Sequence, residues 1–254
     1  NLNRLREVNM KDGALVRRVG NTIKGFLSPS YRRMDASPVF EAFVNKAVSS
    51  GFVPYRGMNT DYRYQISFIK PEMIEVAPEE FVVYGLNLTT GDYGSQAMQI
   101  EMLVLRIACA NLAIGYDLLR KVHLGKRFEW GDGESVIFSE RTQTLDSKAV
   151  ASAVEDVVGE STKHVGLLTD KIQSSAQTEP DVAKVLANIR KSGFGKEIAE
   201  KIKNIYETDT GVELLPQKKT TWRLANTLSL IAKGIGNKDK QIDLEKESFK
   251  LLAA

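Results

Sequence analysis

Few residues in this chain are of the kinds that catalysis recruits. The two histidines, His123 and His164, belong to no HExxH, HxH or mixed Cys/His spacing, so neither a zinc site nor a nucleophile–base pair is written into the chain. His123 stands beside Lys121, Lys126 and Arg127 and reads as a surface or half-buried structural histidine. The single cysteine, Cys109, sits inside LVLRIACANLAI, where a thiol is expected to be a buried, inert packing group. One cysteine leaves no internal disulfide, which fits a reducing compartment. Gly131-Asp132-Gly133-Glu134 brings two carboxylates together, but a divalent metal needs several convergent oxygens, and a turn explains the segment. No GxSxG, phosphate-loop or dinucleotide fingerprint occurs. Catalytic residues, metal ligands and cofactors are therefore all expected to be none.

What the chain does supply is phosphate chemistry. In the stretch from Ile189 to Ile202, Gly193-Phe194-Gly195 is followed by Ala199 and Ile202, resembling the hairpin of helix-hairpin-helix DNA-binding motifs. There the glycines permit a tight turn, and amides at the second helix's N-terminus can meet a phosphate. Lys191, Lys196 and Lys203 add positive charge. The alternative, a helix that stops at Gly193 before an ordinary connection, stays open. Basic residues also crowd the first 33 positions, where Arg17, Arg18, Lys24, Arg32 and Arg33 belong to a set of eight against Glu7 and Asp12. They return at Arg120, Lys121, Lys126 and Arg127. Aromatic residues interleave with arginine at Tyr31-Arg32-Arg33, Tyr55-Arg56 and Tyr62-Arg63-Tyr64, the combination that suits single strands, because every base has a stackable face. Tyr31 and Tyr55 are the binding candidates; Tyr62 and Tyr64 fall in line with Ile66 and Phe68 and read as core. Solvated faces that balance one another are the competing reading of all these charges.

The elements that must hold these residues follow from pattern. The 254 residues suffice for one large domain or two small ones, and with 43% hydrophobic and 26% charged residues at net charge +3 the chain reads as globular. No apolar run is long enough for a membrane span, and the polar start has no signal-peptide pattern, so a cytoplasmic protein with no membrane partner is expected. Gly13–Ser28 predicts a half-buried strand bent at Gly20. Ser37-Pro38 opens a helix with Val39, Phe40, Phe43, Val44 and Ala47 on one stripe, stopping at Gly51. Short strands follow. In YRYQISFIK the alternation predicts Tyr62, Tyr64, Ile66 and Phe68 inward and Arg63, Gln65 and Ser67 toward solvent, while Pro54 marks its predecessor as an edge. Glu80–Gly125 is the most apolar region and predicts the central strands, with a strand from Met98 passing into a short helix near Arg106–Asn111. From about Ser139 the period becomes helical to the end, with Thr220 or Thr221 as a cap. The fold class is thus α+β: an N-terminal mixed or antiparallel sheet with one or two helices (1–138), then a mainly helical part (139–254) that could pack on the core as one unit.

Several segments occur together in an order that resembles the phage- and plasmid-encoded proteins grouped as domain of unknown function 932. They are Phe26–Asp35, Asn87–Gly91, Arg106–Asn111, His123–Gly125 and Trp222–Asn226, with Leu112 in place of that family's usual glycine. The resemblance implies a mobile-element protein working in a host cytoplasm and supplies no catalytic residues. Joined with the charge pattern, it leads to the expectation of a phage nucleic-acid-binding protein. It would hold single-stranded DNA in replication or recombination, in the manner of annealing proteins, as a homo-oligomer. The alternatives are a self-assembling or protein-interaction module without DNA, and a metal-dependent nuclease.

Overall fold

The computed structural model describes residues 15–27, 36–60, 63–91, 96–108, 110–121, 139–208 and 215–253. Within them antiparallel strands with one helix come first and a mainly helical part follows, so the fold is α+β.

β1 (Leu15–Val19) and β2 (Thr22–Leu27) form a separate two-stranded sheet. The single bent strand expected here is in fact a hairpin, because the chain reverses at Gly20, whose φ of 56° a glycine takes without strain. α1 (Ala36–Ser49) buries Val39, Phe43 and Ala47 of the expected stripe, together with Ala42.

The main sheet has the order β3 (Val53–Asn59), β4 (Tyr64–Ile69), β6 (Glu80–Thr90), β7 (Met98–Arg106), β8 (Asn111–Lys121), with β5 (Ile74–Ala77) paired to the start of β6. β3 lies at the edge, as Pro54 implies. The short helix expected at Arg106–Asn111 is absent. β7 instead runs to Arg106 and a tight turn delivers Asn111 directly opposite it. Every residue of β7 is buried, so the run lacks the alternation of a half-exposed strand, and its apolar continuity imitates a helix.

One face of this sheet, carrying Leu86, Leu88, Ile100 and Met102, packs against α1, α2 (Glu140–Glu160) and α3 (Val165–Ser175) through Phe43, Val154, Val158, Leu168 and Ile172. Phe43 meets Phe68 edge-on at 5.8 Å, a geometry worth about 0.5–1.5 kcal/mol beyond area burial. The helical period from Ser139 is interrupted by a short turn at Ser161–His164 between α2 and α3. On the same face Tyr84 shares a 2.9 Å hydrogen bond with Thr169, and burial raises its hydroxyl above the ordinary pKa of 10.0.

The opposite face corrects a second expectation. Gln65 and Ser67 are 3% and 0% exposed rather than solvated, and Arg63 is tied into ion pairs. Charged side chains on this face are met by α7 (Lys238–Ala253), which follows α6 (Thr221–Lys233) and packs mainly along β8, while its Phe249 and Leu252 join the core of the first face. Its Asp239 and Asp243 pair with Arg63, Glu245 with Arg56, and Lys246 with Glu101 of β7 at 2.7 Å. Farther along, Phe249 lies so close to Gly115 of β8 that a Cβ there would stand 2.8 Å from the ring. α7 thus bridges the two edge strands, β3 and β8. Beneath it Ser67 donates to Asn87, and Asn87 donates to Thr89 and to Glu101. A carboxylate this deep is tolerable only when paired and hydrogen-bonded, and Glu101 is both.

Two outcomes follow. Lys246→Met strands the buried Glu101 carboxylate and should lower unfolding free energy by about 3–5 kcal/mol in urea titrations, whereas Glu101→Leu combined with Lys246→Met should recover most of that loss. A folded-state tyrosine pKa above its unfolded value contributes stability that is present below about pH 10 and lost as pH rises further, so the alkaline decline in urea midpoint should be shallower in Tyr84→Phe than in the parent chain.

Candidate nucleic-acid interface

The stretch singled out by its glycines is a helix, a short turn and a second helix, which the helix-hairpin-helix reading and an ordinary connection after Gly193 both allow. α4 (Val182–Ile189) begins at Asp181, whose side chain accepts from the Lys184 amide, and α5 spans Gly195–Glu207. Between them Gly193 takes φ 86°, ψ 12° and Gly195 takes φ 76°, ψ 177°. The second pair of angles belongs to a region that is essentially glycine-only. Nothing lies within 4 Å of a Cβ at either position, so backbone conformation, not crowding, demands glycine there. Leu186, Ile189, Ala199 and Ile202 turn inward onto Leu224, Leu228 and Ile231 of α6, leaving the turn and its lysines outward. Lys191 and Lys196 are exposed; Lys196 makes only a surface pair with Glu200 at 3.5 Å, of the kind worth about 0–1 kcal/mol. Lys203 pairs similarly with Glu207.

Two buried groups fix this hairpin to the fold. The Arg223 guanidinium, 4% exposed, donates to the carbonyls of Tyr206, Thr208 and Pro216 and so ties the end of α5 to α6. Tyr206 itself is pushed above its ordinary pKa by burial, an effect the Arg223 charge opposes. Neither Arg223 nor Tyr206 stands out in the sequence.

The other basic candidates lie elsewhere. Arg17, half-buried, and Arg18 and Lys24, both exposed, share the β1–β2 hairpin. Tyr55, 37% exposed, lies on edge strand β3, whereas its neighbour Arg56 is held by Glu245 through two hydrogen bonds of 2.6–2.7 Å, so its charge is satisfied inside the fold. Arg120 and Lys121 close β8, but their side chains, like the whole of Tyr31, Arg32, Arg33, Lys126 and Arg127, fall outside the described residues, as do Cys109 and His123. Lys191 and Lys196 are thus brought together at one turn, and Arg17, Arg18 and Lys24 on one hairpin.

A further cluster was not anticipated as a site. Arg106, 5% exposed, is clamped by Glu80 at 2.5–2.6 Å, and Trp222 donates its indole N–H to the same carboxylate. Asn111 donates to the backbone oxygen of Asn226. Segments far apart in sequence, Arg106–Asn111 and Trp222–Asn226, therefore meet in space. The two described non-glycine residues with positive φ, Glu79 at 62° and Ala110 at 50°, occupy the turns beside this cluster. It forms one wall of a cleft of about 910 Å³, also bordered by Gln173, Gln177 and Lys218. The signal available in sequence was a charged residue at each end of an apolar strand pair. Among the described residues no group of three or more His, Cys, Asp or Glu side chains is placed to hold a metal ion, and no helix is long and apolar enough to cross a membrane.

Comparison with protein-family models, curated proteins and solved structures finds no match to this chain. The resemblance to the domain of unknown function 932 proteins consequently rests on its short motifs alone.

Glu80→Ala would leave a buried guanidinium and an indole N–H without their acceptor. It should cost about 3–5 kcal/mol of stability by urea denaturation, while exposed Lys196→Ala should stay within about 0.5 kcal/mol of the parent.

Proposed function

We propose that this chain is a nucleic-acid-binding protein that grips the DNA backbone through the α4–α5 turn, without base-specific readout. The observation that carries the reading is the pair of positive-φ glycines at the start of α5, flanked by exposed Lys191 and Lys196. A helix N-terminus carries partial positive charge and unsatisfied amides, and the lysines extend that field toward a phosphate. Glu197, in the first turn of α5, opposes it, which argues for modest affinity per turn. Single-stranded DNA is the favoured substrate because Tyr55 is exposed and because Tyr31-Arg32-Arg33 sets an aromatic beside two arginines in the sequence. A role in the replication or recombination of a mobile element, in a cytoplasm, belongs to the same proposal and draws on the motif resemblance.

Fluorescence anisotropy with single- and double-stranded oligonucleotides over a range of salt tests it. Binding should weaken steeply with salt and favour the single strand. Lys191→Ala with Lys196→Ala should lower affinity about tenfold and reduce the log–log salt slope by about 1.4 on single strands, two contacts at about 0.7 each. An absence of salt-sensitive binding to either form, or a double variant identical to the parent, would sink the reading.

A further inference from the structure

The β1–β2 hairpin has an outward face that its basic residues alone do not explain. In the register of the two strands Val16 stands opposite Phe26 and Arg18 opposite Ile23, and paired residues share a face. All four are exposed, Val16 at 46%, Ile23 at 44% and Phe26 at 48%. Leu27, on the other face, is 9% exposed. An exposed apolar patch rimmed by charged residues is a feature of protein–protein contact surfaces. Between residues 15 and 27 the hairpin carries Arg17, Arg18 and Lys24 and no carboxylate.

A surface of opposite charge and the same apolar character lies on β5 and the start of β6. Glu75 of β5 is directly opposite Phe81 of β6; both are exposed, Phe81 at 40%, and neighbouring Met73 is 68% exposed. Glu72 and Glu79 flank them; Glu72 makes a surface pair with Lys70 at 3.7 Å, and beyond Lys70 no basic residue occurs as far as 101. The Glu79 amide donates to the Glu75 carboxylate, which holds that carboxylate at the turn.

From these two surfaces we infer a head-to-tail contact between copies of this chain, in which the basic, apolar hairpin face of one packs on the acidic, apolar β5–β6 surface of the next. Val16, Ile23 and Phe26 cover Met73 and Phe81, and Arg18 faces Glu75. The two surfaces differ, so the contact is heterologous, and repetition generates rings if the rotation closes and filaments if it does not. A protein that meets each phosphate weakly gains from this arrangement, since linked copies hold one strand at many points.

Light scattering coupled to size exclusion, run without DNA across concentration and salt, reads the contact. The parent chain should exceed the mass of a single chain as concentration rises and return toward it in high salt. Arg18→Glu with Lys24→Glu, and separately Glu72→Lys with Glu75→Lys, should each remain monomeric with circular dichroism unchanged. An equimolar mixture of the two should assemble again, because each reversed surface then finds its complement on the other variant. Phe26→Ser should weaken the low-salt assembly although it alters no charge. A parent chain that stays monomeric, reversals that assemble like the parent, or a mixture that stays monomeric would each overturn the inference. The nucleic-acid reading is separable: a chain that binds DNA through Lys191 and Lys196 yet never self-associates sinks only the contact, and one that assembles without DNA affinity sinks only the binding.

Discussion

A carboxylate in the middle of a buried strand is the constraint on which the rest of this structure depends. Glu101 is 2% exposed, between neighbours that are all buried, and an ion so placed must find an opposite charge and hydrogen bonds or the strand cannot form where it does. The opposite charge comes from Lys246, almost at the other end of the chain. Satisfying Glu101 therefore brings α7 onto the sheet, and with α7 come Glu245 for Arg56 and Asp239 and Asp243 for Arg63. α7 in turn fixes α6 through the buried hydrogen bond between Ser248 and Ser229 and that from Ser248 to the Ala225 carbonyl. α6 holds the end of α5 through Arg223. A series of polar contacts, together with helix backbone, thus links the centre of the sheet to the C-terminal end of α5, the helix that begins at Gly195.

This series separates the charges that hold the fold from those available to a partner. Arg56, Arg63, Arg106 and Arg223 are each engaged by carboxylates or carbonyls of the fold itself. Lys191, Lys196 and Arg18 face solvent on short, glycine-bounded turns or on a two-stranded hairpin. Burial decides the difference. A guanidinium with its fork filled inside the protein offers no donor to a phosphate, whereas an exposed lysine on a preformed turn costs little to bring there.

The periodic part of the fold was legible in the sequence. The stripe of α1, the helical texture after Ser139, the cap at Thr220 and the edge position implied by Pro54 all depend on local spacing, and local spacing is what sequence displays. The misreadings were non-local. Gln65 and Ser67 look solvent-facing because polar alternation normally means water, yet both are buried, and the neighbouring Arg56 and Arg63 are paired with a helix some 180 residues later. The turn after Arg106 resembled helix because strands buried on both faces lose their alternation. The turn at Gly193–Gly195 was visible because two glycines at a fixed interval state a backbone requirement directly. Arg56 looked like a ligand-binding residue because nothing near it in sequence names Glu245. The Glu80–Arg106–Trp222 clamp drew no notice as a unit because its members become neighbours only on folding.

The central claim is that DNA meets this chain at the α4–α5 turn. Hydrogen exchange followed by mass spectrometry, with and without a saturating single-stranded oligonucleotide, tests it most directly. The account predicts slower exchange of the amides at residues 190–197, with those of β6 and β7 unchanged. Exchange at 190–197 that is indifferent to the oligonucleotide, or protection confined to another surface such as the cleft beside Glu80 and Lys218, would contradict it.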